Sequence, residues 1–393
     1  MNWRKSVFIL WTGCLLLDVA IAAGTLSERH YKQLQSIHKL IEKQQLSNAK
    51  KQLDQFLSAR HDGYTQALFL QTAAHVAIEQ GQYDQAIDYL KKAHNINALP
   101  DFVNRNIEYN LAQLYAQEND WNKSLEVLKQ WLSGNKKITP EQHIFAATVY
   151  GRKRQYQSAI KHVKQAIKNS SKTEESWYQM LISFYLEQKK YQQAIPVYLT
   201  LIKLYPDKNN YWKQLSELYL QTQNPHKALA VLQLAEQQGI LSTEQEILRL
   251  ANLYLYANIP VQAAQLIQEK MNTGGIPADI KNRNKLADSW IQAQEYSQAI
   301  KVLNQLSQLD QNNGLYQFRI GRLYMEQGNW SQALKAFERA QSKKQLDQGH
   351  NALLLGICAY YDKKPAKAKI AFENAQKFNK YREQASDWLE ALE

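Results

Sequence analysis

Apolar positions recur three and four places apart along most of the chain, the spacing of one helix face, and the pattern returns about every 35 residues. One small residue marks each return. It stands three places after an aromatic residue or proline, with a bulky apolar residue four places further on. The series is Ala49, Ala86, Ser124, Ala159, Ala194, Ala228, Ala263, Ala299, Ala333 and Ala368. About thirteen residues before each lies a second constellation, fullest at Trp212-x-x-Leu215-Ser216-x-x-Tyr219. Its echoes include Leu111-Ala112…Tyr115, Ala146-Ala147…Tyr150, Leu250-Ala251…Tyr254 and Ile320-Gly321…Tyr324. Trp212, Leu215 and Tyr219 therefore share one face of a helix. The pattern predicts ten pairs of helices over residues of about 30 to 380.

Each residue type has a physical reason. Two helices that approach closely need a small side chain at the contact, supplied by Ala251 on the first helix and Ala263 on the second. A larger side chain there overpacks, at about 1–3 kcal/mol. Pro225, Pro260 and Pro365 replace the aromatic where a second helix begins, a place where the missing amide has no intrahelical partner anyway.

The combination resembles the tetratricopeptide repeat family, with its W-x₂-L-G-x₂-Y motif and following alanine in a helix–turn–helix unit. The resemblance implies an all-α fold: a right-handed α-solenoid of about ten units. The first unit, around Leu46 and Ala49, is degenerate, and the tenth has Ala359 where the aromatic is expected. Residues 380–393, with Trp388 and Leu389, read as a capping helix after tandem repeats over 24–379. Asn95–Asn104 with Pro100, and Gly274-Gly275, lengthen two connections, but the period resumes after each.

Composition agrees. With 14 glycines and 8 prolines in 393 residues, the chain has too few turn formers for an all-β protein or a Gly/Pro-rich disordered one. Its net charge of +12 permits anionic partners without choosing among them. Lys161, Lys164, Lys168 and Lys172 read as a stripe along one second helix, with the spacing of a solvated outer face.

The N-terminus changes the expected compartment. Arg4 and Lys5 precede an apolar run over 6–17, and Ala20, Ala22 and Ala23 offer small residues for cleavage. Residues 1–23 read as an export signal, and the mature protein as periplasmic. A retained membrane anchor is the alternative, and membrane association is expected only in that case. Cleavage removes Cys14 and leaves Cys358, in an apolar run, as a single buried thiol. Export also argues against a nucleic-acid partner.

The chain carries no zinc-ligand spacing, phosphate-cradling glycine loop or nucleophile elbow, so no enzyme activity, metal or cofactor is expected. The repeat resemblance implies a groove lined by the second, fifth, ninth, twelfth and thirteenth residues of each unit. Carried onto this chain, these include Tyr109, Gln113, Arg152, Gln179, Lys213, Glu217, Asn252, Tyr256, Asn284, Asp288, Phe318 and Arg322. Such an amphipathic surface suits a peptide or helix of another protein. The clamp that chaperone-binding members use for a terminal carboxylate is missing, since Lys213 is matched with Glu217 and Asn284 with Asp288.

Tyr205–Leu241, its continuation Leu250–Tyr256, and Lys281–Ile300 resemble exported bacterial repeat proteins encoded beside TonB, ExbB and ExbD. That likeness implies a non-catalytic scaffold accessory to envelope energy transduction, with TonB-like or ExbB/ExbD components as partners. The alternative is an adaptor in pilus assembly or polysaccharide export, binding a protein or an anionic polymer.

Overall fold

The computed structural model describes residues 26–135 and 137–392, so the export-signal reading of residues 1–23 lies outside the described residues. Among the described residues there are 21 α-helices and no strand. Twenty of them form ten pairs. The first five are α1 (Glu28–Glu42) with α2 (Leu46–Leu57), α3 (Gly63–Glu79) with α4 (Tyr83–Ile96), α5 (Asp101–Gln117) with α6 (Trp121–Gly134), α7 (Pro140–Arg152) with α8 (Tyr156–Asn169), and α9 (Glu175–Glu187) with α10 (Tyr191–Leu204). The second five are α11 (Asn209–Gln221) with α12 (Pro225–Gln237), α13 (Glu244–Tyr256) with α14 (Pro260–Asn272), α15 (Ile280–Gln292) with α16 (Tyr296–Leu309), α17 (Leu315–Glu326) with α18 (Trp330–Gln341), and α19 (Gln348–Tyr361) with α20 (Pro365–Gln376). A 3-10 turn at Asn379–Tyr381 leads into α21 (Arg382–Glu390). The architecture is an α-solenoid.

The ten marker residues, Ala49 through Ala368 with Ser124 among them, are completely buried. Where serine replaces alanine, its hydroxyl bridges the pair. Ser124 on α6 donates to the Ala112 carbonyl of α5 at 2.7 Å, and Ser216 on α11 donates to the Ala228 carbonyl of α12 at 3.0 Å. The same two positions are joined from opposite sides. Bulk is matched as well: Gly321 and Gly356 face Phe337 and Phe372, and a Cβ on Gly321 would lie 2.7 Å from the Phe337 ring. Alanine at this place goes with a smaller partner, as Ala147 with Val163 and Ala251 with Ile267.

The turns obey a rule of their own. The residue two places before each second helix has a left-handed backbone in all ten pairs: Gln44, Gly81, Asn119, Arg154, Lys189, Gln223, Asn258, Gln294, Gly328 and Lys363. The next amide bonds back to a first-helix carbonyl, as Asp120 to Tyr115 at 2.8 Å and Asn224 to Tyr219 at 2.8 Å. This closes the last helical turn without side-chain help. Aromatic residues or proline then open nine of the second helices, from Tyr83 to Pro365, and Leu46 opens the first.

The chain divides into two compact units, one ending at Val197 and the other starting at Tyr198. The division falls inside α10, which contains Pro196. Proline gives no amide to the helical ladder. Position by position, the size rule lapses here, where the small and bulky places hold Ile182 and Tyr198, as it does in the first pair with Ile37 and Leu53. In the second unit, α21 packs on α20, with the Trp388 ring stacked 5.7 Å from Phe372. Cys358 is fully buried there, and burial, with Asp362 nearby, pushes its thiol up to about 12. It is packing, not a nucleophile. No helix among the described residues is long and apolar enough to cross a membrane.

Candidate functional site: clefts between first helices

A cleft of about 410 Å³ opens in the first unit between α7 and α9. Its floor is made by Gly151, Tyr156, Met180 and Phe184. Glycine is required here, since a Cβ on Gly151 would lie 2.6 Å from the Phe184 ring. At the equivalent place other first helices carry Leu186, Leu220, Leu255 or Ile291. Polar groups form the rim. The Arg152 guanidinium lies 5.3 Å from the centre of the Trp121 ring and makes no ion pair among the described residues. Tyr156 donates from its hydroxyl to Glu187 at 3.3 Å, and Gln179, Ser176 and Ser183 complete the edge. An apolar floor beside an uncommitted cation suits an amphipathic segment.

Behind this cleft, His143 on α7 and His162 on α8 meet with their Nδ1 atoms 2.9 Å apart. One ring donates to the other, so both cannot carry two protons. Burial lowers both, and burial together with His143 and Lys161 takes His162 down to about 4. Among the described residues no group of three or more His, Cys, Asp or Glu could hold a metal ion.

The corresponding junction in the second unit, between α13 and α15, holds a cleft of about 660 Å³ with a different lining. Glu244 accepts from Lys281 at 3.2 Å and from Asn282 at 3.0 Å, and these bonds hold its carboxyl below the ordinary range. Arg249 pairs with Glu217 on the preceding first helix, α11. Leu248 and Asn252 are also in the wall. Most of its charge is answered from within the protein.

The twelve residues expected in a groove divide four ways. Arg152 and Gln179 line the first cleft, and Asn252 the second. Glu217 is bound to Arg249, Asp288 to Arg319 of the next pair, and the Asn284 amide donates to the Ile280 carbonyl at 2.8 Å. Lys213 is half-buried, while Tyr256 and Arg322 are exposed, Tyr256 by 72%. The other three are corrections to the expected groove. Tyr109, Gln113 and Phe318 are buried and offer no surface to a partner. Tyr109 is wedged against Trp131 at 4.7 Å and Phe145 at 5.4 Å, which raises its hydroxyl pKa. Phe318 lies 5.6 Å from Phe337 and 5.2 Å from His350. An aromatic at the fifth position is long enough to reach the next pair and becomes inter-repeat core. Met180 and Phe184 went unnoticed in the sequence. The available signal is Gly151, a glycine where the units after it carry Leu186, Leu220, Leu255 and Ile291.

Helix pairs stacked in this way, with clefts at the junctions, define a repeat scaffold of the protein-binding class. More particularly, the chain carries tetratricopeptide repeats: residues 77–145, 180–241 and 291–355 match tetratricopeptide repeat models. Proteins built from these repeats are in general non-catalytic interaction scaffolds. Among curated proteins none matches the chain. Among solved structures it is similar to YrrB, described as a TPR protein with an unusual peptide-binding site, with a TM-score of 0.37, 14% identity, and 49% and 91% of the two chains covered. It is similar too to a tetratricopeptide repeat protein from Parabacteroides merdae, with a TM-score of 0.26, 14% identity, and 83% and 98% covered. A third is the APC/C hetero-tetramer Cut9–Hcn1, with a TM-score of 0.30, 12% identity, and 98% and 99% covered.

Proposed function

We propose that this protein is a non-catalytic scaffold that captures a segment of another protein in the cleft between α7 and α9. The observation that carries the reading is the apolar floor of Met180 and Phe184 beside Arg152, a cation with no carboxylate partner among the described residues. An aliphatic or aromatic side chain on the floor, with an acidic group one turn away meeting Arg152, satisfies both features. The location belongs to the proposal and rests on sequence: Arg4, Lys5 and the apolar run over 6–17 support export to a periplasm. The partner proposed is a TonB, ExbB or ExbD component, supported by the resemblance of Tyr205–Leu241 and Lys281–Ile300 to exported proteins encoded beside those genes.

Photo-crosslinking in cells from a reactive residue placed at Gln179 tests the cleft and the partner together. Enrichment of TonB, ExbB or ExbD, abolished by Met180→Glu with Arg152→Glu, is the expected result. Crosslinks to another envelope protein, abolished by the same substitutions, keep the cleft and overturn the TonB assignment. Crosslinks indifferent to them overturn the cleft.

A further inference from the structure

The second helix of the fourth pair, α8, carries a charge distribution found nowhere else in the chain. No Asp or Glu occurs between residues 142 and 173, while Lys161, Lys164, Lys168 and Lys172 are all exposed. Elsewhere an exposed lysine commonly meets a carboxylate within a turn: Lys32 with Glu28 at 2.6 Å, Lys92 with Asp88 at 2.6 Å, Lys123 with Asp120 at 2.8 Å. On α8 the residues at those offsets are neutral or are themselves lysines. Lys161 and Lys168 lie two turns apart on one line, about 10 Å along the axis. Lys164 stands at the edge of that line, its ammonium 5.6 Å from the centre of the Tyr185 ring. Lys172 lies past the helix end, not on it as the stripe spacing suggested. There the Ser170 hydroxyl donates to the Lys172 carbonyl at 2.7 Å and accepts from its amide at 3.1 Å, which fixes the first residues of the loop after the helix.

The rest of the face indicates what it meets. The exposed side chains of α8 other than the lysines are Gln157 and Asn169, neither of them aromatic or aliphatic. A protein interface needs an apolar or aromatic centre depleted of charge. Single-stranded nucleic acid needs rings on which bases stack. A layer of anionic phospholipid headgroups needs neither, because its potential attracts each lysine separately. We propose that the outer face of α8 that carries Lys161, Lys164 and Lys168, with Lys172, is a docking surface for an anionic phospholipid bilayer; of α8 only Tyr156 lines the proposed protein-binding cleft. The contact is peripheral: the lysines rest in the headgroup layer and nothing is inserted.

The test is co-sedimentation of the full chain with vesicles of equal parts phosphatidylglycerol and phosphatidylcholine, against vesicles of phosphatidylcholine alone. Any contribution of the apolar run over 6–17 is common to both vesicle types and to every variant. The expected result is preferential binding to the anionic vesicles that falls as salt shortens the Debye length. With Lys161, Lys164, Lys168 and Lys172 all changed to Gln, the preference drops about fivefold per lysine, on the order of several hundredfold together. The matched control changes Lys363, Lys367, Lys369 and Lys377 to Gln, removing the same charge from the α20 region, and keeps wild-type binding. Helix content of both variants, measured by circular dichroism, stays at the wild-type level because the lysines are exposed. Equal losses in the two variants overturn the proposal, since net charge would then suffice. So does wild-type protein that prefers neither vesicle, or that binds a duplex DNA oligonucleotide more tightly than the anionic vesicles.

Discussion

The two clefts open at corresponding junctions, each between the first helices of consecutive pairs, yet they are built to opposite ends. Between α7 and α9 the wall is thinned at Gly151, so that Phe184 becomes a floor, and among the described residues Arg152 meets no carboxylate. Between α13 and α15 the opening is larger, but Glu244 is engaged by Lys281 and Asn282, and Arg249 by Glu217. A repeat fold places similar openings at its junctions, and size alone does not make one receptive. What separates the two is whether the protein has already met the needs of the groups that line them.

The comparison breaks most completely if the first cleft is filled. Gly151→Leu is expected to lower partner capture by at least an order of magnitude and to destabilise the fold by about 1–3 kcal/mol, because the side chain enters the space of the Phe184 ring. Capture assays and denaturant melts read the two effects separately. A variant that captures normally means the floor is not where the partner sits.

A second effect comes from the histidine pair at the first cleft and depends on pH. The unfolded chain takes up protons near pH 6.5, whereas folded His143 resists them and folded His162 does so until about pH 4. Stability is therefore expected to fall as pH drops from 6.5 to about 4 and to level off below. His162→Gln should flatten this part of the profile of melting temperature against pH. An unchanged slope would place its origin elsewhere.

Two smaller effects sharpen the contrast. Arg154 and Asn258 hold the left-handed backbone in the turns beside the first and second clefts. Arg154→Gly should gain about 0.5–1 kcal/mol in thermal unfolding, and Asn258→Gly close to nothing, because asparagine tolerates that conformation. Glu217→Ala should cost about 0.2–1 kcal/mol, as an exposed ion pair does, and leave capture unchanged. A loss of capture there would mean that the second cleft binds the partner.

Much of the scaffold is legible in the sequence because the contact that defines a pair demands a small residue, and alanine, glycine and serine are easily read. The ten buried markers from Ala49 to Ala368 are the ones the spacing singles out. The turns are not legible in the same way. Their shape is held by backbone bonds such as Asp120 to Tyr115, so Gln44, Arg154 and Lys189 serve where glycine would have announced the turn. The division inside α10 escapes the period altogether, since Ala194 keeps its place and only Pro196 and the large Ile182 and Tyr198 depart. The candidate site was half visible. Arg152 and Gln179 follow from their positions on first helices, but Phe184 lies 33 residues beyond Gly151, and a repeat template read one unit at a time does not join them. Tyr109 and Phe318 mislead for a related reason: the template fixes where a side chain starts, and its length decides whether it ends in solvent or in the next pair.

The match of Gly321 to Phe337, and of Gly356 to Phe372, also constrains how these pairs change over generations. An alanine acquired first at Gly321 drives its methyl into the ring. A leucine acquired first at Phe337 leaves a void where the ring was. Each step alone passes through a less stable protein, and only the two together restore a filled contact. Mutational paths at the C-terminal repeats are therefore traversed in twos, and pairs already holding alanine and leucine are separated from them by a barrier although the two solutions pack equally well.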